Sequence, residues 1–214
     1  ASMETLQSSL SDNDDKEAAS QVVTAARSRL NMLDAGVSII EESMMATEAF
    51  LKARSGWNAV INADAAIREA TALAEEMSKE NILASQAKGN EALAFLEEAQ
   101  QDFSQAEAAY PSLDLAAFKA YVAKRIESQQ AALAADEAYL SRNKEELEAQ
   151  NSRYNALEEE AAALAQKLGE DDPEQIVALR FYEEIEADQG AYEAERLKAG
   201  NADAFLREYL GTAS

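Results

Sequence analysis

From Ser112 to Leu168 the chain contains neither proline nor glycine. Across that stretch an apolar or small residue returns at every seventh position: Ile126, Leu133, Leu140, Leu147, Tyr154, Ala161 and Leu168. A seven-residue repeat keeps one stripe of a helix turned toward one partner. Uninterrupted, this helix would be ~80 Å long, too long for the inside of a compact globule. The pattern therefore predicts a spine with other helices laid along it.

Composition agrees with an all-α chain. Glycine and proline number only 7 and 2 in 214 residues, and the dominant residues are the strong helix formers Ala, Glu, Leu and Gln. The β-branched alternation that a sheet requires is missing. Of the charged residues, 41 are acidic and 19 basic, a net charge of −22. A surface this acidic repels phosphate backbones and anionic lipid, so nucleic acid is not an expected partner. The chain has no cysteine and no histidine, which removes disulfides, thiol nucleophiles, Cys/His zinc sites and histidine bases. No apolar run reaches transmembrane length. No metal or cofactor is expected.

In chain order, residues 1–13 read as a polar Ser/Asp lead-in or tether. That lead-in, with a first residue other than Met, points to an exported or envelope location; a cytosolic scaffold of the same composition is the alternative. A first helix runs from about Asp14 to Arg54. Its apolar seam alternates three and four residues through Val23, Ala26, Leu30, Leu33, Val37, Ile40, Met44, Thr47 and Leu51, the strongest periodic signal in the chain. Ser55-Gly56 predicts its end. A second helix carries a narrower seam through Val60, Ala63, Ile67, Ala70, Ala74 and Met77, weakens from Ser78 to Asn90 with a break at Gly89, and resumes at Leu93, Leu96, Phe103 and Tyr110. Pro111 predicts a tight turn into the spine, with Ser112 as its cap. Gly169 ends the spine, Asp172-Pro173 starts another helix, and bends or stops are expected at Gly190 and Gly200.

Assembled, these elements predict an all-α, elongated antiparallel bundle forming one domain over 14–214. Its body would come from 14–77 and 145–210, and a helical hairpin, 91–144, would project with its tip near Pro111. Phe103, Tyr110, Leu113, Leu115, Phe118 and Tyr121 crowd at that tip, where local charges nearly cancel. They are the candidate partner-binding residues; the competing reading is that they lock the two helices at their turn. In the spine, the polar seam of Gln129, Asp136, Asn143 and Gln150 is a candidate face for an isologous homodimer. Carboxylate pairs such as Glu145-Glu146 have no convergent base or oxyanion element beside them, so no enzyme is expected. The function expected is a non-enzymatic coiled-coil interaction or spacer protein with a protein partner. The alternative is a bundle that binds a small apolar ligand between helices near Trp57 or Tyr139.

Overall fold

The computed structural model describes residues 13–212, so the lead-in expected at 1–13 lies, but for its last residue, outside the described residues. Five helices follow one another: α1 (Asn13–Ala74), α2 (Lys79–Ala109), α3 (Ala116–Leu140), α4 (Lys144–Leu168) and α5 (Pro173–Thr212). The fold is all-α, with long helices packed antiparallel and no strand among the described residues. The chain divides into two compact units. One is Met45–Arg180; the other combines the described parts of Ala1–Met44 and Phe181–Ser214.

In the unit Met45–Arg180, the later part of α1 packs with α2, α3 and α4. The helix end expected at Ser55-Gly56 does not occur, because Gly56 serves a close approach. A Cβ there would stand 2.9 Å from Cε1 of Phe103 and 3.2 Å from the carbonyl oxygen of Ala99. Gly89 acts in the same way inside α2, facing Gln129 and Leu133 of α3. The break falls instead at Glu75–Ser78, where Met77 takes a left-handed φ of 51° and the Ser78 hydroxyl accepts the Asn81 N–H at 3.1 Å. Apart from Asp102, the buried positions of α2 are Ile82, Ser85, Gly89, Ala92, Leu96, Ala99, Phe103 and Ala106. This is an unbroken three/four repeat, half hidden from a reading of large residues by its small members.

The spine is not one helix. It folds back at Ser141-Arg142-Asn143, which makes α3 and α4 an antiparallel pair. Arg142 adopts φ 55°. The Asn143 N–H bonds the Ala138 carbonyl at 2.9 Å and the Arg142 N–H bonds the Tyr139 carbonyl at 3.0 Å, the paired bonds that close a helix through a left-handed residue. The Asn143 side chain then caps α4, accepting the Glu146 N–H at 3.2 Å. The turn at Pro111 is present as expected, although its cap differs: α3 begins after Leu115, whose N–H bonds Glu107 at 2.8 Å. Asp172 caps α5 by accepting the Glu174 N–H at 2.8 Å. Gly190 and Gly200 lie inside α5 and interrupt nothing.

The α2–α3 hairpin does not stand alone. Trp57 of α1 meets Phe118 edge-on at 5.7 Å, Phe103 meets Phe118 at 5.8 Å, and Lys52 of α1 pairs with the buried Asp102 at 3.3 Å. Along α1, Lys88 bridges Glu69 and Glu91 at 2.9 Å each. The hairpin is therefore part of the bundle, where the sequence suggested a projection. Buried aromatic area of this kind is the largest apolar contribution per residue available to a bundle.

Candidate interaction surface

In the other unit, α1 has two heptad stripes on opposite faces. Two residues beyond each seam position lies 200° around the helix. The stripe so defined is Ala25, Ser28, Met32, Ala35, Ile39 and Glu42, continued by Ala46; Ala25, Ser28, Ala35 and Ala46 are buried and the rest half-buried. This small-residue stripe packs on α5. Ser28 bonds the Glu195 carboxylate, Arg29 pairs with Asp203 at 2.5 Å, and the Tyr209 hydroxyl donates to Asp15. On α5, Ile185, Ala199 and Ala202 are the buried residues of the contact. Lys198 and the Ser28 hydroxyl hold the Glu195 carboxyl below the usual carboxylate range.

The seam that reads as the core of the first helix faces outward. Leu30 is 61% exposed, Leu33 64%, Val37 53%, Ile40 61% and Met44 68%, and Leu51 further along the same helix is 59% exposed. The strongest periodic pattern in the chain thus lies on an outer face of this helix. Scattered exposed apolar residues are ordinary, but a continuous stripe at coiled-coil spacing is not. One signal in the sequence could have shown the choice. Ala46, Ala49 and Ala53 are in heptad phase with Val60, Ala63 and Ala70, which are buried. Once α1 runs unbroken through Gly56, the alanine stripe inherits the inward face.

The residues proposed for a hairpin tip form no surface. Phe103, Tyr110, Leu113, Leu115, Phe118 and Tyr121 are all buried, none more than 7% exposed. They close one end of the bundle, which is the locking role, and the docking role at the tip is withdrawn. Beside them Arg125 pairs with Asp64 at 2.7 Å, lies 5.9 Å over the Tyr121 ring and approaches Glu158 at 3.8 Å. Ser128 donates to Glu158 at 2.6 Å. Burial pushes the Tyr121 hydroxyl up. The polar spine seam is also internal in part: Gln129 is 3% exposed and Asp136 accepts a hydrogen bond from Ser85 at 2.9 Å. Along the same seam Asn143 is exposed and Gln150 half-buried.

The two ligand candidates do not converge. Trp57 is half-buried against Phe118, whereas Tyr139 lies at the other end of the bundle, where its hydroxyl donates to the Met77 carbonyl. An open cleft of about 440 Å³ beside Tyr139 is lined by Lys79, Arg142, Asn143, Lys144 and Leu147. Its lining carries three cations, Lys79, Arg142 and Lys144, and no carboxylate. A smaller cavity of about 230 Å³ lies between Ile67, Ala70, Ser85, Gln129, Asp136 and Tyr154. Burial raises the Asp136 carboxyl there, opposed by the Ser85 hydroxyl.

Among the described residues no group of three or more carboxylates is arranged to hold a metal, and no helix is long and apolar enough to cross a membrane. No protein family matches the chain, and neither a curated protein nor a solved structure matches it.

Proposed function

We propose that this is a non-enzymatic coiled-coil interaction protein whose working surface is the outer seam of α1. The observation that carries the reading is the exposure of Leu30, Leu33, Val37, Ile40 and Met44 at uninterrupted three/four spacing. Such a stripe is complementary to another helix bearing the same repeat, because knobs from one seam enter holes of the other. Burying one such leucine or isoleucine contributes ~1.5–3 kcal/mol, so the stripe is a substantial source of association free energy that the described chain leaves unused. A photo-reactive benzoyl-phenylalanine at Leu33, in cells that make the protein, should cross-link to a polypeptide. The same group at the exposed Glu145 should not. Equal labelling at both positions, or none at Leu33, refutes the reading.

A further inference from the structure

We infer that the partner on this seam is a second copy of the chain, packed antiparallel about a two-fold axis near Ala35; this rests on the proposed function and makes it specific. The first ground is the size sequence along the seam. In an antiparallel pair the two alternating seam columns face each other. Centring the pair near Ala35 sets Ala26 opposite Met44, Leu30 opposite Ile40 and Leu33 opposite Val37, and then the same layers in reverse. The smallest residue meets the longest, and the middle layers join branched or γ-branched residues of similar volume. No layer therefore sets two small residues against each other, which limits voids. A parallel in-register pair would instead stack Ala26 on Ala26 and leave a void.

The second ground is charge. The positions flanking the seam on one side are Arg27, Asp34, Glu41 and Glu48. In the antiparallel alignment Arg27 of each copy faces Glu41 of the other, two attractive pairs. The two Asp34 side chains meet at the axis as a single like-charge pair on the solvated rim. Shifting by one heptad in one direction would place Asp34 against Glu41 twice and Arg27 against Glu48 twice, and in the other direction would pair Arg27 with Asp34 twice. Charge thus suits the antiparallel pairing of two copies, and the register rests on size. On the other flank the residue at the axis is Gly36, where an added Cβ would meet nothing within 4 Å. Inside one copy no contact calls for a glycine at that position, and between two copies it lets the helices draw together.

The third ground is area. The exposed seam side chains present on the order of 500 Å² per copy, so the pair buries ~1,000 Å², at the lower edge of specific interfaces.

Sedimentation equilibrium on the full chain should show a monomer–dimer equilibrium with a dissociation constant in the micromolar range. The Leu33→Glu, Ile40→Glu double variant should weaken it at least 100-fold with unchanged helicity, since both positions are exposed in the monomer. Because the chain has no cysteine, the alignment can be read directly. Mixing a Leu30→Cys protein with a size-tagged Ile40→Cys protein under mild oxidation should give the mixed-mass disulfide dimer in excess over either homodimer. Homodimers in excess overturn the antiparallel register. A monomer at millimolar concentration, or a dimer indifferent to the Leu33/Ile40 variant, overturns the second copy as occupant. If the monomer persists while Leu33 still photo-cross-links to a different polypeptide, the coiled-coil function stands and only this inference falls.

Discussion

Alanine in place of Gly56 should destabilise the unit Met45–Arg180, although alanine is the better helix former. Replacing an internal helical glycine gains ~1 kcal/mol in propensity. Against that, the new Cβ would lie 2.9 and 3.0 Å from two carbons of the Phe103 ring and 3.2 Å from the Ala99 carbonyl oxygen. Phe103 is 0% exposed and leans on Phe118, so its ring has nowhere to turn. The Ala99 oxygen is helix backbone and moves only if α2 moves. Overpacking of this kind costs ~1–3 kcal/mol, leaving a net loss centred on ~1 kcal/mol. With a urea slope of ~2 kcal/mol per molar, the midpoint should fall by roughly 0.5 M. Trp57 is the only tryptophan and stands on Phe118, so its fluorescence reports this unit specifically. Shortening the obstructing ring with Phe103→Leu in the Gly56→Ala background should recover part of the loss. An unchanged or raised midpoint for Gly56→Ala would falsify the close approach of α1 and α2.

Two further substitutions probe the turn and the half-buried carboxylate of Asp136. Arg142→Gly should raise stability by ~0.5–1 kcal/mol, because a left-handed non-glycine residue costs ~1–2 kcal/mol and part of the relief is offset by glycine's greater unfolded-chain freedom; an equal loss in chemical denaturation would show that the arginine side chain contributes more than its backbone costs. Asp136→Asn should stabilise the protein at pH 7. The folded state raises this carboxyl, mainly by burial, and so binds its proton more tightly than the unfolded chain. Stability therefore falls as pH rises from the ordinary carboxylate value of ~3.9 through the raised folded value, and remains lower above it. The difference in melting temperature between Asp136→Asn and the parent should be present at pH 7 and vanish below about pH 4; a difference independent of pH refutes the assignment.

How far the architecture could be read in advance depended on side-chain size. The helical class, the turn at Pro111 and the Asp172-Pro173 start rest on residues whose backbone chemistry is local. The fold-back at Arg142 does not. The heptad series through Leu133 and Leu140 seemed to run on through Leu147 and Tyr154 only because a short turn happened to keep the count. Each helix chooses its inward face separately, and in α3 the buried residues include Ala131, Ala135 and Ala138. What local reading can detect is the cap: Asn143 with Glu146 three residues on resembles a helix start inside a helix. The same pairing of a left-handed residue with a cap recurs at Met77-Ser78. At Gly56 and Gly89 the difficulty was opposite, since glycine signals either a stop or a contact. Only the facing Phe103 and Gln129 decide between them.

The outward seam follows from the same competition between sizes. A large apolar residue contributes more on burial than alanine, so a stripe of leucine, valine and isoleucine would ordinarily win the inward face from a stripe of alanine and serine. In α1 it does not. The helix continues through Gly56 into a segment whose inward face is set by Val60, Ala63 and Ala70, and the heptad phase of that face runs back along Ala53, Ala49, Ala46 and Ala35. In the unit formed with α5, Ala25 and Ala35 let that helix come close, with Ser28 bonding Glu195 and Arg29 pairing with Asp203 at the margin. The larger stripe of that unit lies on the opposite face of α1. Polar residues at those outer positions would cost the contact with α5 nothing. That they are Leu30, Leu33, Val37, Ile40 and Met44 instead, in an otherwise acidic chain, is the physical reason to regard that face as made for another helix.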